Sequence, residues 1–171
     1  MTELFFKLCS KYFQFLINEF GCGIVGKKSD NFKDELVYQN ATTAIKISYE
    51  PRESYVFILL CQLINGEIPD YPVFINRKTK LNQFYLDDLL VLRSPNTRIR
   101  KKPFGDAIPD DLDAKQLIEA CAADPFTKRD LEHMVKTYAA GLREHGADIL
   151  RGDFTIFSTL EKIVRKRAEN Q

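Results

Sequence analysis

The fold of this protein is decided by residues 34–64, DELVYQNATTAIKISYEPRESYVFILLCQLI. Near the middle, Ile45, Ile47 and Tyr49 alternate with polar residues, a pattern that indicates a strand with one buried face. The unbroken apolar run that follows the Pro51 turn is typical of a central strand covered on both faces. The stretch therefore predicts three antiparallel strands, at residues 36–39, 44–50 and 55–60.

Residues 2–20 predict a long helix, with Thr2 placed to cap it and Gly21 to end it. Two adjoining apolar stripes cover about 220° of its circumference, twice what packing on one surface requires. We expect the helix to be covered on two sides. The second cover is either the C-terminal helices of the same chain or a second copy, in a homodimer formed through the first helix.

The other segments complete an α+β class: an N-terminal helix on an antiparallel sheet of about four strands, followed by a helical C-terminal region. Residues 22–29, which include Gly23 and Gly26, predict an irregular edge strand. The sequence divides into a helix and β-meander at residues 1–93, a proline-containing linker at 94–110, and helices at 111–171 that pack on the first part as one domain.

Composition excludes several classes of protein. The chain has 171 residues, 44% hydrophobic, with a net charge of +1, so it lacks the basic field that recruits nucleic acid. Glu3, Lys7, Lys11 and Glu19 interrupt the apolar N-terminus, which argues against a membrane span or a signal segment and favours a cytoplasmic protein. The four cysteines are far apart in apolar surroundings, which indicates free buried thiols without a cofactor or metal.

Catalytic chemistry has one candidate centre, at His145. Glu144 and Asp148 lie close to this histidine in the sequence and could assemble a metal-dependent or hydrolytic site. No second imidazole stands at ligand spacing, and no serine or cysteine nucleophile has a visible base. The main expectation is therefore a histidine at the core boundary, with no catalytic and no metal-binding residue, and an enzyme centred on His145 is the alternative.

The stretch between residues 65 and 85 combines aromatic and basic side chains in a segment without periodicity. Rigid rings beside cations suit the recognition of a protein partner. The competing interpretation is that the rings fold back and cap the sheet. The predicted binding surface consists of Tyr71, Phe74, Arg77, Lys78, Phe84 and Tyr85.

Two stretches resemble small uncharacterised bacterial proteins with a helix, a β-meander and further helices. They are VFINRKTKLNQFYLDDLLVLRSP, residues 73–95, and LREHGADILRGDFTIFSTLEKIVRKRA, residues 142–168. The resemblance implies a bacterial cytosolic protein and brings no activity, cofactor or catalytic residue. The leading functional hypothesis is a non-enzymatic protein-binding protein, with the His145 enzyme and the homodimer as alternatives.

Overall fold

The computed structural model describes residues 1–72, 74–76, 79–94 and 127–169. It confirms the α+β class: in chain order, helices come before and after the strands of an antiparallel sheet. The predicted linker at 94–110 and the predicted helix at 111–123 lie almost wholly outside these residues. The elements in chain order are α1 (Thr2–Tyr12), α2 (Gln14–Phe20), β1 (Gly23–Ser29), β2 (Asp34–Gln39), β3 (Thr43–Glu50), β4 (Tyr55–Gln62), β5 (Gln83–Tyr85), α3 (Leu86–Arg93), α4 (Lys128–His145), α5 (Ala147–Leu150) and α6 (Phe157–Glu169).

The sheet has five strands in the order β1-β2-β3-β4-β5, each antiparallel to its neighbour. The predicted count of about four is corrected by β5, whose three residues are too few to show a period of two. The predicted edge strand is β1, whose register shifts between Ile24 and Gly26. A Cβ atom on Gly26 would come within 3.3 Å of the Val37 side chain, so glycine permits this close pairing.

Both faces of the sheet are covered, although to different depths. The face that carries Ile45, Ile47 and Ile58 packs beneath the helices as the main core. The opposite face was predicted to be solvated along β3, yet Ala44 and Ser48 on it are buried. The chain after β4 crosses this face and packs Ile68 against a smaller apolar cluster, formed by Val37, Ala44, Leu59, Cys61 and Leu63.

The predicted N-terminal helix is broken at Phe13, which separates α1 from α2. Residues two apart point to opposite sides of a continuous helix. The break lets Phe13 and Phe15 both enter the core, with ring centroids 6.1 Å apart. Gly21 ends α2 in the left-handed conformation, as predicted. Thr2 is the first helical residue and Met1 takes the cap position, so the predicted cap was wrong.

The wide apolar surface of the first two helices is covered within the chain. They lie between the sheet and α4, with Phe5, Leu8 and Leu16 buried in the main core. The Glu132 carboxylate on α4 accepts hydrogen bonds from the Tyr12 hydroxyl at 2.6 Å and from Lys11 at 3.2 Å. The helices after residue 127 and the first 93 residues thus share one core.

In the part of the chain that the structure describes, no helix is long and apolar enough to cross a lipid bilayer.

Candidate functional site

The structure separates the residues of the predicted binding surface. Tyr71 and Tyr85 are 40% and 36% exposed, with ring centroids 6.3 Å apart, and Phe74 is 82% exposed. Phe84 is buried instead and packs against Phe157 with centroids 4.7 Å apart, so this ring belongs to the core and leaves the predicted surface. Arg77 and Lys78 lie outside the described residues.

Phe57 extends the pair of tyrosines into a row of three rings. Its centroid lies 6.0 Å from that of Tyr85, nearly edge to face. Tyr85 is placed here because it follows Phe84 on the short strand β5, where successive side chains point to opposite faces of the sheet. Phe57 is not among the predicted site residues, because β4 is apolar on both faces and its sequence does not show which face is open.

A cleft of about 370 Å³ opens beside this row, and we call it the aromatic cleft. Its lining combines rings, carboxylates and one cation: Glu50, Tyr55, Phe57, Tyr85, Asp87, Asp88 and Arg167. Tyr71 stands at its side, against Tyr85. The end of β3, the first half of β4, the short strand β5, the start of α3 and the last turn of α6 meet here, so the cleft draws on five separate elements.

Asp87 is the acid of the aromatic cleft that two tyrosine hydroxyls contact. Its carboxylate accepts hydrogen bonds from the Tyr138 hydroxyl at 2.9 Å and the Tyr55 hydroxyl at 3.3 Å, and the two hydroxyls lie 3.0 Å apart. Burial raises the pKa of the Asp87 carboxyl although both tyrosines oppose the rise. Burial likewise raises the pKa of Tyr55 to about 12. Asp87 therefore serves chiefly to join α3, β4 and α4.

Asp88 has a different environment from its neighbour. Asp88 is only 7% exposed, and one of its carboxylate oxygens, Oδ1, accepts a hydrogen bond from Arg167. The other oxygen, Oδ2, is buried and has no hydrogen-bond partner among the described residues. Most buried polar atoms are paired, so an unpaired carboxylate oxygen in the wall of a cleft marks a place where a donor would be stabilising.

Glu50 is the third acid of the aromatic cleft. Within the described residues no ion pair or side-chain hydrogen bond holds its carboxylate. The negative charge of Glu50 acts together with burial to raise the pKa of Tyr85. An open carboxylate beside a partly exposed ring is an arrangement that attracts a cation.

The predicted His145 centre is not brought together. The Asp148 carboxylate is held by both terminal nitrogens of Arg93, at 2.7 and 2.5 Å, and this hydrogen bonding lowers the pKa of Asp148. Arg93 also donates to the backbone carbonyl of His145. Glu144 lies 3.8 Å from the imidazole and points largely to solvent. The Asp148 carboxylate therefore stabilises the corner between α4 and α5.

The remaining polar side chains and the cysteines are the other candidates for metal ligands or nucleophiles. In the described ranges no three His, Cys, Asp or Glu side chains are grouped so that they could hold a metal ion. Cys9, Cys22 and Cys61 are free and buried, and burial raises the pKa of each thiol, as expected for unreactive core cysteines. Cys121 lies outside the described residues.

A larger cavity of about 620 Å³ lies between Ile75 and α6. Its charged side chain Arg165 is already committed, because it donates to the carbonyls of Asn76 and Thr79 and to Glu161. These contacts fasten the loop to α6. The aromatic cleft, where one oxygen of Asp88 has no partner among the described residues, is the better candidate site.

Comparison with protein-family models, with curated proteins and with solved structures found no match to this chain. The resemblance of residues 73–95 and 142–168 to small bacterial proteins, and the cytosolic location that it implies, remain predictions.

Proposed function

We propose that this chain is a non-enzymatic binding protein and that a protein partner docks on the aromatic cleft. The observation that carries the proposal is the row of Phe57, Tyr85 and Tyr71, which continues into a cleft where a buried carboxylate has one unpaired oxygen among the described residues. Tyrosine contributes large contact area at a small cost in side-chain entropy and is enriched among the residues that dominate binding energy.

Residues of the aromatic cleft lie on regular secondary structure, which favours recognition of a rigid partner surface. Tyr85 leads directly into α3, and Phe57 lies in the middle of β4. The hydrogen bonds from Tyr55 and Tyr138 to Asp87 fix the start of α3 against the sheet and α4. Binding residues on such rigid elements lose little freedom when a partner docks.

Two alternatives from the sequence have less support. The His145 enzyme lacks a free carboxylate at Asp148, which Arg93 occupies. The homodimer through the first helix lacks apolar area, because Phe5, Leu8 and Leu16 are buried inside the chain. A sedimentation mass of one chain at micromolar concentration is the expected result.

The proposal is tested by capture of partners from the native cells on the immobilised protein, followed by purification of the captured protein. The dissociation constant is then measured for the wild type, for the Tyr71→Ala, Tyr85→Ala double variant and for Phe32→Ala. Phe32 is the matched control, since it is an exposed ring on the turn between β1 and β2.

We expect the double variant to weaken binding by about tenfold or more, the loss typical of anchoring residues, and Phe32→Ala to leave it unchanged. Equal affinities for the wild type and the double variant, with both proteins folded, would contradict a partner site at the aromatic cleft.

A further inference from the structure

We propose that the aromatic cleft recognises the guanidinium group of an arginine presented by the protein partner, and that Arg167 occupies this position when no partner is bound. The inference rests on the proposed function, because it names the chemical group that the same cleft receives.

The lining of the aromatic cleft selects for positive charge. Asp87 is engaged by two tyrosines, which leaves Glu50 and Asp88 as the acids that face an incoming group. The cation within the lining is Arg167, on the rim. A partner that brings a cation would therefore meet complementary charge, whereas an anionic partner would be repelled.

Asp88 narrows the choice of cation. It is more than nine-tenths buried, lines the cleft, and has one oxygen bonded to Arg167 and one oxygen without a partner in the described ranges. A guanidinium presents parallel N–H donors that match the two oxygens of a carboxylate, while an ammonium is a point charge. The unpaired oxygen therefore favours arginine over lysine.

The rings give a second reason for arginine. The row of Phe57, Tyr85 and Tyr71 borders the carboxylates, and the planar guanidinium stacks on aromatic faces as well as binding acids. A neutral side chain of the same shape would gain neither the charge interaction nor the stronger hydrogen bonds.

Arg167 shows that a guanidinium already fits against Asp88. It lies in the last turn of α6, and its side chain is 53% exposed. Because Arg167 is half exposed, it can move into solvent when an arginine of the partner takes its place and keeps the buried Asp88 carboxylate paired. The internal arginine thus shields Asp88 in the free protein and competes with the arginine of the partner.

The test is a titration followed by ¹⁵N–¹H NMR, with the capped peptide Gly-Gly-Arg-Gly-Gly as the probe and the same peptide carrying citrulline as its neutral counterpart. We expect the arginine peptide alone to shift the amide signals of Tyr71, Tyr85 and Asp88. Arg167→Gln should tighten binding about two- to fivefold, because the probe no longer displaces the half-exposed Arg167 side chain. Lys166→Gln, with the same loss of charge on the neighbouring exposed residue, should not.

Asp88→Asn should abolish binding, and Glu50→Gln should weaken it, whereas Glu53→Gln on the exposed turn should have no effect. Equal shifts with the arginine and citrulline peptides, or equal affinities for Arg167→Gln and Lys166→Gln, would overturn the inference. If the Tyr71→Ala, Tyr85→Ala variant loses the partner while Asp88→Asn and Arg167→Gln retain wild-type affinity, the binding function stands and the arginine site fails.

Discussion

At the scale of single residues, Asp87 shows how burial changes the role of an acid. Its carboxyl group contacts the hydroxyl of Tyr55 and the hydroxyl of Tyr138, and these two hydroxyls also contact each other, which makes three hydrogen-bond contacts. Two hydroxyl protons cannot serve three contacts, whereas a proton on Asp87 supplies the third. Burial raises the pKa of this carboxyl in the same direction. The folded protein therefore binds a proton at Asp87 more readily than the unfolded chain does.

The sign of the pH dependence follows from this difference. Because the pKa of Asp87 is raised in the folded state, its contribution to stability is complete below the unfolded value of about 3.9 and is lost as pH rises through the folded pKa. We predict that the unfolding free energy of the wild type, minus that of Asp87→Asn, falls with rising pH across this window. Urea unfolding of both proteins measures the difference, and a rise instead of a fall would mean that the tyrosines stabilise the charged form.

At the scale of elements, α4 begins with a reciprocal pair of capping hydrogen bonds. The Thr127 hydroxyl accepts from the backbone N–H of Asp130 at 3.2 Å, and the Asp130 carboxylate accepts from the backbone N–H of Thr127 at 2.8 Å. Each bond satisfies a donor that a helix start leaves without a partner. The helix then buries Leu131, Val135 and Tyr138 against the rest of the core.

We predict that Thr127→Ala lowers the unfolding free energy by about 1 kcal/mol, because it removes the capping hydroxyl. Chemical denaturation measures this loss. Lys136→Ala is the control, since it changes an exposed residue of the same helix to a good helix former. A cost at Thr127 no larger than that at Lys136 would show that the cap contributes nothing to the fold.

At the scale of the whole molecule, Asn40 joins three parts of the chain. Its Nδ2 donates to the carbonyl of Phe20 at 3.2 Å and to that of Leu150 at 2.9 Å. Its Oδ1 accepts from the backbone N–H groups of Thr42 and Thr43 at 3.0 and 2.9 Å. One side chain thus holds the turn between β2 and β3 and fastens it to the ends of α2 and α5.

Asn40→Asp separates these two roles, because the carboxylate keeps the acceptor of the turn and loses the donors to the helix ends. We predict that Asn40→Asp destabilises the protein by about 2 kcal/mol, since it leaves carbonyls unpaired and adds negative charge near helix C-termini. Asn18→Asp, on an exposed surface, is the control for charge. Thermal and urea unfolding measure both, and an unchanged stability of Asn40→Asp would show that the turn alone uses Asn40.

Residues with strong local signals were predicted well. The alternation of Ile45, Ile47 and Tyr49 predicted β3, and the unbroken apolar run after Pro51 predicted β4. The weaker predictions depended on partners distant in sequence. Phe84 and Tyr85 are adjacent aromatic residues, yet Phe84 is in the core and Tyr85 is on the surface. The reason is that β5 pairs with β4 in the sheet, where successive side chains of a strand point to opposite faces.

The sequence by itself determined the class of fold and most of the strands and helices, because these follow from periodicity and local capping. Only the tertiary structure decided the aromatic cleft. Asp88 and Arg167 lie 79 positions apart, and Phe57 reaches the cleft from a strand whose sequence is apolar on both faces. Such a site forms where residues of several helices and strands come together, and the sequence pattern of any one element does not predict it.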